Sequence, residues 1–387
     1  MTKQKPALIN VTTLSGALQI PSLYGWDPAT KRWMNPLRIR LGLDEDKACS
    51  PELVERLCFM APLTLSYEAC EQIARCWGAP VSDATIQHHV CEQGARIGAR
   101  RDEEVEEALE PATRQGVVER AGAALGGRDF SLVIMLDGWM IRERGGQWGL
   151  KPPEAAGERV EWREMKTGIV FRLEDLAATQ SGRGVILKKH YEAWRGEAHD
   201  FGRRLYALAL RQGLMQAARV FVVADGGVWI WNLAQERFPG AREVLDFYHA
   251  SQHLHAVARA LHADEEQARQ WVAPLLHQLK HGGQDRVIEN LEQLTDLIQT
   301  LAPEPAKTVT NTLAYFQEHR RRLNYQQAAE QGCPIGSGAI ESTCSQLQDR
   351  FKRTGQFWTQ PGAAQLMTLD IIRRNEEWDD YWERMVA

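Results

Sequence analysis

At 387 residues the chain is long enough for two or three domains rather than one. Its 44% hydrophobic and 25% charged content excludes a disordered or fibrous chain, and no apolar run approaches the ~20 residues that span a bilayer. The net charge of −5 argues against nucleic acid only on average, because acids bunch at 102–110 (DEEVEEALE) while bases cluster at Arg203-Arg204, Arg320 to Arg322 and 350–353 (RFKR). The seven cysteines form no CxxC pair, so free thiols in a reducing compartment are expected rather than disulfides or zinc. Residues 1–10 lack the layout of a signal peptide.

Taken in order, INVTTLSGALQI reads as a hairpin and YGWDPATKRW as a loop. Ser50-Pro51 caps and starts a helix. Ser66 then caps YEACEQIARCW, Gly78 ends it, and Ser82 caps DATIQHHVCEQG. These two short helices predict a helix-turn-helix at 66–94, with Gln87, His88 and Cys91 facing outward; a helical hairpin that touches no DNA is an equal alternative. A charged helix over 94–120 ends in the linker-like AGAALGG. FSLVIMLDG (130–138), ARVFVVADGG (218–227) and AREVLDFYH (241–249) read as buried strands, with RVEWREMKTGIVF and GVILKKHYEAWRG as further strands. With the helical stretches between them they predict an α/β sheet under helical cover. Residues 250–331 show only helical patterns, CPIGSG (333–338) is a loop, and two helices close the chain.

Asp137 and Asp225 each close an apolar run and each precede a glycine. Strand ends are where sites gather in α/β sheets, and glycine admits a ligand close to the backbone. A single Asp-Gly more often just starts a turn; two on core strands of one sheet bring the readings level. Glu341 falls early in a helix introduced by GSG. Alone it would only compensate the helix dipole.

The strings DGW at 137–139, VVADGGVWIW at 222–231, LDFYH at 245–249 and PIGSGAIESTCSQLQDRFKRTGQFW at 334–358 resemble the acidic-triad (DDE) transposases of bacterial insertion sequences, in particular the Kra-type family. The likeness runs from about Leu41 to Arg374. It implies a ribonuclease-H-like α/β core, with Asp137, Asp225 and Glu341 as catalytic, metal-binding acids holding two Mg²⁺ or Mn²⁺ ions for strand cleavage and transfer. It also implies double-stranded DNA as partner, a homodimer on that DNA, no membrane association, and a bacterial cytoplasmic location at the nucleoid. The implied organisation is a mostly helical DNA-binding region over 1–125, core over 126–249, an all-helical insertion over 250–333, and a returning core segment over 334–387. Such transposases often carry a cysteine-rich start; here LYGWDPATKRWMNPLRIRLGL (23–43) has neither Cys nor His, so no zinc is expected.

Around the triad, Asp246 is a candidate fourth acid, structural hydrogen bonding being its other reading. His249 is a candidate phosphate neighbour; a helix puts His253 on the same face but His255 elsewhere, so a three-His metal site is not expected. Lys352, at helical spacing from Glu341 and Gln348, is a candidate phosphate contact. Gln87, His88, Arg350, Lys352 and Arg353 are candidate DNA contacts. Trp139 and Trp358 flank site residues and are candidates to stack an unpaired base, with core packing favoured, as for Trp229 and Trp231. Competing functions are a structure-specific nuclease of the same chemistry, a domesticated DNA-binding protein, and more remotely a two-carboxylate glycosidase.

Overall fold

The computed structural model describes residues 2–43, 48–125, 129–150, 158–180 and 184–386, with side chains as far as 383. The linker-like AGAALGG lies partly outside these. An antiparallel hairpin, β1 (Thr2–Thr13) and β2 (Gly16–Asp27), is extended by β3 (Arg32–Met34). Helices α1 (Pro36–Arg40), α2 (Pro51–Met60), α3 (Tyr67–Cys76), α4 (Asp83–Leu109) and α5 (Pro111–Leu125) follow. Then come β4 (Ser131–Arg144), β5 (Val160–Arg172), β6 (Leu176–Ala178), β7 (Gly184–Ile186), β8 (His190–Trp194), α6 (Ala198–Arg211), β9 (Arg219–Ala224), α7 (Val228–Arg237) and β10 (Arg242–Leu245). The rest is helical: α8 (Phe247–Leu261), α9 (Glu265–Lys280), α10 (Gln284–Glu292), α11 (Thr295–Ile298), α12 (Pro303–Glu318), α13 (Tyr325–Glu330), α14 (Gly338–Phe351), α15 (Gln360–Arg374) and α16 (Trp378–Val386). Among the described residues no helix is long and apolar enough to cross a membrane.

The fold is mixed α/β, and packing divides it into two compact units that the chain enters more than once. One comprises Met1–Asp102, Ile141–Arg163 and Gln346–Ala387; the other comprises Glu103–Met140 and Glu164–Ser345. These units cut across the sequential division expected at 125, 249 and 333. The chain passes between units inside α4, β4, β5 and α14, where periodicity gives no sign of a boundary.

In the second unit the five-stranded sheet runs in the order β10-β9-β4-β5-β8. Parallel pairing holds Ser131–Leu136 of β4 against Arg219–Ala224 of β9, and β10 against β9, while β8 pairs antiparallel with β5. Leu132 to Leu136 are at most 1% exposed, each buried side chain contributing about 1.5–3 kcal/mol. Helix α6 covers α5 and the end of α4 through Val105, Ala108, Val117, Ala207 and Leu210. Arg203 of α6 meets Glu106 of α4 at 2.6 Å.

Near the predicted acids, two strand limits differ from those the sequence predicts; elsewhere β2 runs to Asp27 into the predicted loop, and GVILKKHYEAWRG forms two strands, β7 and β8, in separate sheets. β4 does not stop at Asp137-Gly138 but continues to Arg144, because Trp139 and Ile141 keep the alternation of buried positions going. β10 ends at Leu245, and Asp246 caps α8 by accepting the His249 N–H, so Phe247, Tyr248 and His249 are helical.

In the first unit Ile9, Val11 and Leu43 form a small core under the hairpin. The predicted caps are present: Ser50 accepts from Leu53 N and Ser66 from Ala69 N, and Gly78 turns out of α3 at φ +83°. The second helix of the pair, however, runs 27 residues instead of stopping at Gly94. Gly94 serves close packing there, since a Cβ on it would stand 2.5 Å from the Gln365 carbonyl oxygen of α15.

Candidate active site

The three acids of the predicted triad meet in the second unit. Asp137 sits where parallel pairing with β9 ends, one residue beyond Leu136↔Ala224, and Asp225 is the residue after Ala224. The register therefore sets them side by side at the carboxyl end of the sheet. Glu341 is exposed in the first turn of α14.

Burial first, and then the charges of Asp225 and Glu341, push the Asp137 carboxyl up to about 6. The Gly138 N–H, donating to Asp137 Oδ1 at 2.7 Å, opposes them. Asp225 Oδ1 likewise accepts from Gly227 N at 3.0 Å. The glycines also make room. A Cβ on Gly226 would stand 2.5 Å from the Tyr315 ring, and one on Gly138 would stand 2.4 Å from a Glu164 oxygen. Glu164 is tied to Lys166 at 2.9 Å.

Asp246 is 1% exposed and joins the cluster through Ser337. One oxygen accepts from His249 N at 2.6 Å; the other accepts from the backbone N–H and the hydroxyl of Ser337, the latter at 2.8 Å. That hydroxyl also lies 2.8 Å from Glu341 Oε1, so its single proton serves one carboxylate at a time. Ser337 thus spans two acids. Asp246 spends its acceptors inside the protein, which favours the hydrogen-bonding reading of that residue.

Residues that the sequence reading does not single out complete the cluster. Cys344 lies one helical turn beyond Glu341 and is 2% exposed; its thiol donates to Asp137, and both burial and that carboxylate raise its pKa. Thr167 bonds to Cys344 and accepts from Trp139 Nε1 at 2.9 Å. Helical spacing from Glu341 is the signal that marks Cys344. Tyr315 of α12 has no such signal. Its ring stacks on His253 at 4.1 Å and meets His319 edge-on at 4.6 Å. Its buried hydroxyl has no hydrogen-bond partner among the described residues, and burial with the charges of Asp225 and Asp246 raises its pKa. His249 faces both His253 and Tyr315.

Several candidates take other places. Trp139 and Trp358 are 5% and 7% exposed, and Trp231 is 3% exposed, so all three pack in the core and none offers a face to a base. Arg350, a candidate DNA contact by sequence, lies in the core of the first unit. It is 5% exposed, donates from Nε to the Ala61 carbonyl at 3.1 Å, and lies 5.2 Å from the ring centres of Tyr67 and Trp358. α14 ends at Phe351, so Lys352 lies just past the helix rather than on its Glu341 face. Lys352 and Arg353 are exposed, as are Gln87 and His88 on α4.

The donor set fits hard divalent cations: three carboxylates, one with a raised pKa that a cation would reverse. Among the described residues the His, Cys, Asp and Glu group whose ligand atoms all lie within 4.8 Å of one another is His88, His89 and Glu92, not the triad. One six-coordinate Mg²⁺ with ligands at about 2.1 Å would need the triad oxygens that close, whereas two ions about 3.5–4 Å apart would not. No family model matches the chain, and no curated protein matches it.

Proposed function

We propose that the chain is a metal-dependent DNA strand-cleaving and strand-transferring enzyme, a transposase with a ribonuclease-H-like core. The observation that carries the reading is the convergence of Asp137, Asp225 and Glu341 at one end of a mixed sheet, with the Asp137 carboxyl driven up to about 6 by burial and by its two acidic neighbours. Carboxylates crowded in this way are arranged for cations rather than for one another. Bound there, two Mg²⁺ or Mn²⁺ ions supply charge neutralisation at phosphorus and lower the pKa of an attacking water or 3′-hydroxyl.

The protein's own contribution is positioning. Gly138 and Gly227 N–H groups fix the two aspartates, Cys344 holds Asp137 from the α14 side, and Ser337 steadies Glu341 against Asp246. Tyr315 walls the site on the Asp225 side. Positioning and electrostatic stabilisation are nearly all that catalysis of phosphoryl transfer requires. In the same reading the partner is double-stranded DNA at the ends of a mobile element, engaged by a homodimer in a bacterial cytoplasm. Gln87 and His88 on the exposed face of α4 are the candidate base readers.

The test uses the full chain with labelled DNA from the flanks of its own coding sequence and a second, unlabelled duplex. With Mg²⁺ the expected result is strand cleavage at defined ends and joining of the 3′-hydroxyl end to the second duplex. Cleavage at full rate in EDTA overturns the metal mechanism, and cleavage without joining reassigns the chain to the nucleases.

A further inference from the structure

One exposed face of the first unit gathers rings and cations from three stretches of chain. Trp162 at the start of β5 is 53% exposed, and Trp148 in the turn after β4 is 40% exposed. The Arg142 guanidinium lies 5.8 Å from the Trp162 ring centre and 5.0 Å from that of Phe357. Lys352 Nζ is 6.0 Å from Trp162, Arg144 is 5.4 Å from Trp148, and the Trp148 and Phe357 rings are 4.8 Å apart. Arg142 is held in place by donating to the Arg353 carbonyl. Among the described residues no carboxylate pairs with Arg144, Lys352 or Arg353, while the adjacent Glu161 is engaged by Arg163 and Glu143 is 5% exposed.

Large exposed rings beside unpaired cations carry a cost in water that a ligand removes. Their chemistry specifies that ligand. A ring face takes a flat, polarisable partner, and the cations around it take negative charge at a short distance from that partner. A nucleotide joins the two, base to ring and phosphate to cation, but only where the base is not already stacked within a duplex. We propose that this face binds unpaired nucleotides of a DNA strand, with bases on Trp162 and Trp148 and phosphates on Arg144, Lys352 and Arg353. The inference takes its partner from the DNA reading above, and it concerns binding alone.

The experiment is therefore done on the full chain in EDTA, where no cleavage intervenes. Fluorescein-labelled dT12 and a hairpin duplex of similar length are titrated, following anisotropy and quenching of intrinsic tryptophan fluorescence. The expected result is preference for dT12, with Trp162→Ala weakening it roughly 5- to 150-fold, the range for loss of one base stack. Trp162→Phe, which keeps a ring and tests against mere unfolding, should retain most of the affinity. Met215→Ala, at a 62% exposed apolar position of the other unit, should change nothing. Preference for duplex, or unchanged dT12 affinity in the Trp148→Ala, Trp162→Ala double variant, overturns the proposal. So does failure to bind dT12 with capture of an acidic peptide instead, which would make the face a protein-docking surface. Binding without any cleavage in Mg²⁺ would sink the strand-transfer reading and leave this one standing.

Discussion

The acid cluster of the second unit and the ring-and-cation face of the first handle charge in opposite ways. Asp137 and Asp225 follow strand segments that are almost wholly buried, Glu341 opens α14, and each acid has a protein donor within reach: Gly138, Gly227, Ser337 or Cys344. Such a site is rigid, partly dehydrated and electrostatically stressed, so small changes in protonation or charge matter. The basic face is wet, and its side chains are held by rings rather than by counter-charges. Its charges cost little to keep and respond to salt instead of pH. A site built for chemistry and a surface built for adhesion thus differ in burial before they differ in residue type.

The largest effect that can break this contrast lies in the acids. Asp137→Asn, Asp225→Asn and Glu341→Gln keep size while removing one charge each, and each should lower the Mg²⁺-dependent cleavage rate by orders of magnitude, roughly 10²-fold or more. DNA binding should be unchanged, and the losses should not add, since the three act as one unit. Single-turnover cleavage with a parallel binding assay checks this. Asp246→Asn should act mainly through stability, because its oxygens serve His249 and Ser337. Near-normal cleavage by Glu341→Gln together with loss in Asp246→Asn would move the third role from Glu341 to Asp246.

What the sequence shows of each region follows from how its residues are fixed. Asp137 and Asp225 are legible because the apolar strand before each acid and the glycine after it are local signals, and parallel register does the rest. The caps at Ser50 and Ser66 are legible for the same reason. The end of β10, the extension of α4 past Gly94 and the division into units are not, since each depends on packing against a segment distant in sequence. The RFKR cluster shows the limit most plainly. Arg350 and Arg353 are equivalent in composition, yet one is 5% exposed between Tyr67 and Trp358 and the other is exposed. Arg350→Ala should therefore destabilise the protein by about 3 kcal/mol, through a lost buried hydrogen bond and two ring contacts. Arg353→Ala should stay within about 0.5 kcal/mol. Denaturant titration followed by tryptophan fluorescence separates them, and equal effects would return Arg350 to the surface.

A further predicted effect sharpens the contrast by titration. The Asp137 carboxyl titrates near 6 in the folded chain against an ordinary 3.8, so the folded state binds the proton more tightly than the unfolded state. Between those values the folded chain holds a proton that the unfolded chain has released. Stability contributed by this group is therefore fully present below 3.8, falls as pH rises through about 6, and stays lower above it. The gap corresponds to on the order of 3 kcal/mol. Asp137→Asn carries no such charge, so in EDTA it should match the wild type near pH 3.5 and exceed it by about that amount at pH 7.5. Millimolar Mg²⁺ should recover stability in the wild type, because an ion that binds only the folded state adds to it, and should do less for the variant. Parallel thermal melts at the two pH values, with EDTA and with Mg²⁺, read all four conditions. An Asp137→Asn variant no more stable than wild type at pH 7.5 in EDTA would mean that the Asp137 charge is opposed neither by burial nor by its acidic neighbours, and the case for a cation site among them would go with that result.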